Sequence, residues 1–399
     1  MNQQPYAVPP RWWAPKLRPF WVRLLRRNRL RRLKRLQRIT HIDVTGIEPV
    51  QAAIASGAGL LITPNHSFHF DAYVLFEASA RVQRPFYYVA SWQLFAMSGP
   101  IERWMLQSHG VFSIDRETSD LRAIKKAVDI IKSSPHPLVV FPEGEIYHTN
   151  DRITPFRDGP AAMAISAAKR ADRPIMVVPT AVKAWYQSDP EPRLLKVIEV
   201  IERRFNWRAR PHLSTQDRVY RIANAILSLK ELEYLGAAQP GSLVSRLQVL
   251  AETLLVQIEE RAGIKPKGSV IPERVKHARQ HHIQLLRSAE LPPAQRARLS
   301  TEMEDLFFVV QLFSYPGDYA ANQPSRERLA EIIDKFEEDI LGLTYPTIKG
   351  DRRVELRFGT PIAVAPYITQ ADGARLLTRE MENRVQGLLN DLNRTAPVA

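Results

Sequence analysis

The feature that most limits how this chain can fold is an alternation of short apolar runs and helical segments across residues 43–205. Runs such as Leu60–Thr63 and Val111–Ile114 suit buried strands, and segments with helical spacing such as Asp71–Arg81 follow them. Repeated strand-then-helix units place parallel strands in one sheet with helices on its faces. We therefore predict an α/β fold with a mostly parallel or mixed sheet flanked by helices.

The elements predicted for this core follow one another along the chain. The strands are Leu60–Thr63, Phe86–Val89, Val111–Ile114, Pro137–Phe141 and Ile175–Val178, and the helices are Asp71–Arg81, Trp92–Gln107, Asp120–Lys132 and Pro160–Lys169. Leu194–Arg204 fits a helix or a strand equally well. Residues 206–345 are predicted to be almost all helix, and β character returns at Val354–Phe358 before a final helix at Gly373–Leu392.

Basic residues are concentrated at the N-terminus. Residues 1–42 hold twelve of the 56 Lys and Arg residues and no acid, whereas the other 357 residues hold 44 basic and 42 acidic ones. Trp12, Trp13 and Trp21 lie among these cations. Aromatic rings favour the headgroup layer of a membrane, and each Lys or Arg near an anionic surface contributes about 1 kcal/mol. We predict an amphipathic arm, broken near Asn28, that binds an anionic membrane surface.

Two alternatives for the arm remain: it could dock on the protein through its leucine face, or it could bind nucleic acid through its arginines. A nucleic-acid partner is disfavoured because an arm that binds phosphates does not need three tryptophans. The expected location is the cytoplasmic face of a membrane, with the protein peripheral or monotopic. No apolar run approaches the 18 residues of a membrane span, and the N-terminus lacks the pattern of a secretory signal.

Composition and motif searches exclude several chemistries. The chain has no cysteine, which excludes disulfides, a thiolate nucleophile, a zinc site with cysteine ligands and an iron–sulfur cluster. His277, His281 and His282 include an i, i+4 pair, which we interpret as part of a solvated basic helix, and we predict no metal site. The chain also lacks the Gly-x-Ser-x-Gly elbow of many serine hydrolases.

Candidate chemistry lies in the loops after three predicted strands, because ligands of open α/β sheets bind beyond the carboxyl ends of the strands. His66 and Asp71 follow the first strand, and we expect Asp71 to cap the next helix and His66 to lie in the loop before it. A carboxylate bound to one imidazole nitrogen leaves the other free as a general base. The pair also fits a structural cap beside a loop histidine.

Two further loops add complementary groups. Arg116 follows Val111–Ile114, and Glu143, Gly144 and Glu145 form a tight turn after Pro137–Phe141. A base, an arginine fork and a glycine turn on one edge suit transfer to the hydroxyl of an anionic substrate. Alone, Arg116 fits a surface ion pair and the turn fits an ordinary loop, so the joint placement of the three loops is what favours a site.

These residues resemble the motifs of the glycerolipid acyltransferases, which include the 1-acyl-glycerol-3-phosphate acyltransferases. Asn65–Asp71 is similar to the first motif (Asn-His, four residues, Asp), Gly110–Arg116 to the second, Phe141–Gly144 to the third and Val178-Pro179 to the fourth. Arg357–Ile362 resembles the closing strand and turn of the family. Order and spacing agree over about residues 43–182.

The resemblance implies transfer of a fatty acyl group from a thioester of coenzyme A or acyl carrier protein to the hydroxyl of a glycerolipid or lysophospholipid. His66 would deprotonate the hydroxyl, Asp71 would hold His66, and Arg116, Glu143 and Gly144 would line the site for the polar head. The thioester is a co-substrate, and no cofactor or metal is implied. The alternatives are a non-enzymatic membrane- or lipid-binding protein on the same fold, and an acyltransferase for a non-phosphate lipid acceptor.

The sequence departs from the family pattern in its motifs and its length. Serine falls at Ser67 rather than at the position of Phe68, and Phe112 comes one place early. Glu145 stands where the family often has Thr or Ser followed by a nearby Arg, and a carboxylate there would repel a phosphate unless Arg152 or Arg157 compensates.

The closing strand of the family normally comes sooner, so the helical region is predicted to be an insertion. We hypothesise that it caps the acyl-chain groove or adds membrane contact. The four predicted parts are the arm (1–42), the acyltransferase core (43–205), the helical insertion (206–345) and the closing strand with its C-terminal helix (346–399).

Overall fold

The computed structural model describes residues 10–117, 120–266, 268, 270–288, 291–321 and 324–395. The chain divides into two compact units. Described residues within 10–190 and 348–395 form one, here called the sheet unit, and those within 191–347 form the other, the helical unit. The boundaries that we predicted after residues 205 and 345 therefore lie after residues 190 and 347.

Helices and strands are numbered along the whole chain. The described strands are β1 Ile39–Thr45, β2 Gly59–Pro64, β3 Tyr87–Ser91, β4 Val111–Ile114, β5 Leu138–Val139, β6 Ile175–Tyr186, β7 Arg352–Phe358 and β8 Ile362–Ala363. The helices of the sheet unit are α1 Pro19–Leu24, α2 Arg26–Gln37, α3 Ile47–Ala55, α4 Asp71–Arg81, α5 Trp92–Met97, α6 Pro100–Ser108, α7 Leu121–Ser133, α8 Gly159–Ala168 and α15 Gly373–Arg394. Those of the helical unit are α9 Glu191–Arg204, α10 Thr215–Leu235, α11 Leu243–Ala262, α12 Ile271–Leu286, α13 Pro293–Ser314 and α14 Arg326–Asp339.

The strands of the sheet unit form one mixed sheet in the order β1-β7-β6-β2-β5-β3-β4, with β8 beside β6. Neighbours are parallel except where β6 pairs with β7 and with β8. Successive residues of central strand β2 point to opposite faces: Leu60 and Ile62 enter one apolar cluster, and Leu61 enters another. Helices cover both faces, which is why β2 is buried along its whole length. The predicted fold class is confirmed.

Three predicted elements of the core differ clearly from the structure. Of the strand predicted at Pro137–Phe141, only Leu138–Val139 forms β5. The segment predicted as one helix from Trp92 to Gln107 is two, α5 and α6, because Pro100 begins a new helix and disfavours helical geometry in the residue before it. Strand β6 continues past its predicted end at Val178 to Tyr186, where it pairs with β7. Pairing with β7, which is more than 150 residues away in the sequence, extends β6 beyond the part that local spacing predicts.

The helical unit is inserted in the connection between two paired strands. Tyr186 at the end of β6 lies opposite Arg352 at the start of β7, and the N–H of Gln187 donates to the carbonyl of Asp351 at 2.8 Å. The chain therefore leaves and rejoins the sheet unit at neighbouring positions. A connection of this kind tolerates a long insertion because the sheet pairing on both sides of it is preserved.

The helical unit has its own apolar core, formed by Leu250, Leu254, Leu306 and Val309 among others. The ambiguous segment Leu194–Arg204 lies in helix α9, whose Glu202 pairs with Arg218 of α10 at 2.6 Å. This pairing explains why the unit begins before residue 206.

The expectation that His277, His281 and His282 belong to a solvated helix is wrong for His282, which is fully buried. Helix α12 turns Val275, Ala278 and His282 inward as one face. His282 Nε2 lies 2.7 Å from a carboxylate oxygen of Glu302 on α13, so the buried ring has a polar partner.

The arm is partly built into the sheet unit. Its helices α1 and α2 meet at Leu25 rather than at the predicted Asn28. The Trp13 ring stacks on Phe95 at 5.7 Å, and the Trp12 ring meets Phe112 edge-on at 6.0 Å. These two half-buried tryptophans therefore pack on the protein.

The cations of the arm fall into two groups. Arg26 pairs with Glu77, Arg29 contacts His109 at 2.8 Å, and Arg38 pairs with Asp351 at 2.6 Å. The side chains that remain exposed are Arg11, Lys16, Arg18, Arg23, Arg27, Arg31, Arg32, Lys34 and Arg35. Among the residues that the structure describes, no helix combines the length and apolar character that a membrane span requires.

Candidate active site

The predicted site residues lie in loops at the carboxyl ends of three strands of the sheet unit. His66 follows β2, Glu143 and Gly144 follow β5, and Arg116 follows β4. Because these strands are parallel, their carboxyl ends share one edge of the sheet. Direct contacts connect all three loops, as described below.

His66 and Asp71 are in contact. His66 Nδ1 lies 3.0 Å from Asp71 Oδ2, and the same oxygen accepts from the backbone N–H groups of Ser67 and Phe68 at 2.8 and 2.9 Å. Asp71 is fully buried and is the first residue of α4, whereas the predicted N-cap position belongs to Phe70. The Phe70 carbonyl accepts the first hydrogen bonds of the helix, so the Asp71 carboxylate is free to fold back onto the histidine loop.

The orientation of the His66 ring follows from these contacts. An ionised Asp71 only accepts hydrogen bonds, which places the imidazole proton on Nδ1 and leaves Nε2 as the basic nitrogen. The ring also stacks on Phe141, with 3.9 Å between centroids. The side chain remains 18% exposed, so an imidazole held in this way can exchange a proton with a bound molecule.

Glu143 connects the third-motif loop to the histidine. Its Oε1 accepts from the backbone N–H of His66 at 2.6 Å, and its Oε2 accepts from the backbone N–H of Thr154 at 2.9 Å. Burial raises the pKa of Glu143 to about 8, although these two N–H groups oppose the rise. Glu143 is buried rather than lining a substrate surface as expected, because both of its oxygens are directed at backbone donors.

Arg116 meets the same turn from the other side. Its guanidinium donates to the Gly144 carbonyl and pairs with Glu145 at 2.9 Å. Gly144 has a φ of +79°, a backbone conformation that favours glycine, and a Cβ atom there would lie 2.6 Å from Arg157 Nε, so the arginine side chain would have to shift. Burial by itself would raise the pKa of Glu145, but the charges of Arg116 and Arg157 lower it below its ordinary value. Arg152 is exposed.

Two comparisons with known proteins match this part of the chain. Residues 41–183 match the family model described as acyltransferase. A stretch of 92 residues is 32% identical to a 1-acyl-sn-glycerol-3-phosphate acyltransferase of Streptococcus pneumoniae (strain ATCC BAA-255 / R6). We call residues 41–183, the part of the chain that matches this model, the acyltransferase domain. The stretch covers 23% of this chain and only 33% of the relative, and the helical unit lies outside the residues that match the family model.

Two asparagines of the acyltransferase domain extend the pairing of strand β6. Asn65 donates to the Val182 carbonyl at 3.0 Å and accepts from its N–H at 2.7 Å. Asn150 bonds to the carbonyl and N–H of Ala184 at 2.7 and 3.0 Å. Each side-chain amide thus replaces a neighbouring strand beyond the end of β2. Asn65 belongs to the first motif, but the sequence predicted no role for it. Asn150 lies in none of the four motifs and was not predicted.

The fourth motif lies where the closing strand returns to the acyltransferase domain. The Pro179 carbonyl accepts from the N–H of Gly359 at 2.8 Å, and Thr180 lies opposite Phe358 in the antiparallel pair. The strand predicted at Val354–Phe358 is therefore part of the same sheet. The domain is completed by residues that follow the helical unit in the sequence.

Proposed function

We propose that the protein transfers a fatty acyl group from an acyl thioester to the hydroxyl of a glycerolipid or lysophospholipid, with His66 as the general base. The observation that carries this proposal is the contact of His66 Nδ1 with buried Asp71 within an acyltransferase domain. The contact leaves Nε2 as the basic nitrogen on a side chain that is still partly exposed.

In the proposed reaction, His66 Nε2 takes the proton of the acceptor hydroxyl as its oxygen attacks the thioester carbonyl. The new carbon–oxygen bond forms, the carbon–sulfur bond breaks, and the departing thiolate takes the proton back from His66. Asp71 stabilises the imidazolium that exists between these two transfers. General-base assistance of this kind is typically worth about 10² to 10⁴ in rate.

The polar head of the acceptor is proposed to bind near Arg116 and Gly144, with Glu143 holding the His66 backbone rather than contacting substrate. The donor is proposed to be acyl-coenzyme A or acyl-acyl carrier protein. The Streptococcus pneumoniae relative is named as a 1-acyl-sn-glycerol-3-phosphate acyltransferase, so 1-acyl-sn-glycerol 3-phosphate is the first acceptor to test.

The arm is proposed to hold the protein on an anionic membrane surface at the cytoplasmic face. Phe20 is 67% and Ile101 75% exposed, and Trp21 and Trp104 meet edge-on at 5.2 Å, so apolar side chains of α1 and α6 are accessible together with exposed arginines. An apolar patch near cations matches the headgroup layer in both hydrophobicity and charge. The proposed attachment is peripheral or monotopic.

The test of the proposed activity is thiol release by the purified protein and by His66→Ala, with both donor classes and a panel of lysolipids, and with products identified by mass. His212→Ala, at an exposed histidine of the helical unit, is the matched control. Release by wild type and control but not by His66→Ala supports the proposal. Equal traces from all three proteins with every acceptor would instead favour a non-enzymatic lipid-binding protein.

A further inference from the structure

The turn at Glu143–Glu145, beside His66, holds an ion pair between Arg116 and Glu145. The Glu145 carboxylate neutralises part of the positive charge that the nearby arginines bring to the turn. Arg116 contacts Glu145 at 2.9 Å and also donates to the neighbouring carbonyl of Gly144. The Arg157 guanidinium lies close to the Cα of Gly144. Glu145 is two residues from Glu143, whose carboxylate binds the backbone of His66. The three charges are therefore part of the same loop cluster as the candidate base.

The sum of these charges limits which anion the cluster can bind. Two guanidinium groups and one carboxylate leave a net charge of one positive unit. A phosphate monoester carries about 1.5 to 2 negative charges near neutral pH. A phosphate diester carries one, which matches the cluster. Side chains of Arg116 and Glu145 are only 17% and 33% exposed, so water screens the Glu145 charge incompletely.

We propose that Glu145 sets acceptor choice by excluding lysolipids with a terminal phosphate monoester and admitting those whose phosphate is a diester. This inference rests on the proposed function. A monoester approaching Arg116 must either displace the Glu145 carboxylate or lie beside a like charge. A diester meets the same like charge with only one negative charge of its own, which the net positive charge of the cluster balances without removal of Glu145.

The experiment compares two acceptors with the same acyl chain: 1-acyl-glycerol 3-phosphate, a monoester, and lysophosphatidylglycerol, a diester. The ratio of kcat/KM for the two is measured for wild type, for Glu145→Gln, which removes the charge at nearly the same size, and for Glu145→Asp, which keeps it. Thermal unfolding of each variant shows that it is folded. Arg157→Gln provides an independent measurement, because it removes a positive charge from the same cluster.

Wild type and Glu145→Asp are expected to prefer the diester, and Glu145→Gln is expected to shift the ratio toward the monoester by about tenfold or more, the size of a partly screened like-charge contact. Arg157→Gln should shift it the other way. A ratio that Glu145→Gln leaves unchanged, or a wild type that prefers the monoester, overturns the inference while the acyl transfer stands. If wild type turns over neither acceptor, nor any other lysolipid of the panel, the proposed function is wrong and this inference fails with it.

Discussion

The Glu143 carboxylate accepts a hydrogen bond from the backbone N–H of His66, with 2.6 Å between Oε1 and the nitrogen. Its other oxygen binds the N–H of Thr154. The glutamate of the third motif thus joins the histidine loop to two segments of the chain that lie far from it in the sequence. We propose that Glu143 positions the His66 backbone through this contact.

Glu143 also makes stability depend on pH. Its pKa is raised from 4.5 to about 8 in the folded protein, so the folded state keeps a proton that the unfolded state releases across this interval. The free-energy contribution is fully present below about pH 4.5 and is lost as the pH rises through about 8. We expect the free energy of unfolding of wild type, relative to Glu143→Gln, to fall across this interval in urea titrations. If the free energy of unfolding of wild type and of Glu143→Gln varies with pH in parallel, the prediction is wrong. Glu48→Gln, at an exposed helix position, is the control and should follow wild type.

Asp71→Asn should lower kcat strongly with little change in KM. The Asn side chain still has one oxygen that can accept from His66 Nδ1 and the two backbone N–H groups, but it carries no negative charge, so the imidazolium formed during the reaction loses the charge that stabilises it. We expect kcat to fall by about 10² to 10⁴ in the thiol-release assay. Asp129→Asn, on an exposed helix position, should have wild-type activity. A folded Asp71→Asn variant with normal kcat would show that Asp71 does not act through His66.

Asn65→Ala should destabilise the sheet unit. The substitution leaves the buried N–H and carbonyl of Val182 without the partners that they have in the structure. Each unsatisfied buried group costs about 1 to 3 kcal/mol, so loss of both partners should lower the free energy of unfolding by about 2 to 6 kcal/mol in urea. Asn28→Ala, at an exposed position of helix α2, should change it little. Equal effects of the two substitutions would mean that the side-chain pairing adds no stability.

Neutralising exposed cations of the arm should weaken binding to anionic vesicles. The test variant changes Arg27, Arg31, Arg32 and Arg35 to Gln and keeps the arginines that pair within the fold. At about 1 kcal/mol per cation, affinity should fall at least about a hundredfold, as measured by vesicle sedimentation. The control changes the same number of cations elsewhere on the sheet unit, namely Arg122, Lys125, Lys169 and Arg170. Equal losses from both variants would assign the binding to net charge rather than to the arm.

Removal of the helical unit tests the hypothesis that it contributes to the acyl-chain groove or to membrane contact. Because Gln187 bonds to Asp351, a short turn can replace residues 189–349 without breaking the β6–β7 pair. We expect the shortened protein to keep thiol release that depends on His66 but to change its acyl-chain preference or its binding to vesicles. If both properties match the full chain, the hypothesis is wrong.

Local patterns in the sequence predicted much of the sheet unit. Helix α4 and strand β4 have the bounds that hydrophobic periodicity predicted, and β2 is one residue longer at each end. Such elements are predictable because spacing of two or of 3.6 residues is a property of neighbouring residues. The order of the motif residues likewise predicted that His66, Arg116 and Gly144 would lie at the ends of parallel strands.

By itself, the sequence determined the α/β class, the basic character of the arm and the residue types available at the candidate site. Only the tertiary structure decided that Arg26, Arg29 and Arg38 pair within the fold, that Glu143 is buried against the His66 backbone, and that His282 faces Glu302. Each of these outcomes depends on a partner distant in the sequence. A charged or polar side chain carries no local signal of whether packing will give it a partner or leave it in water.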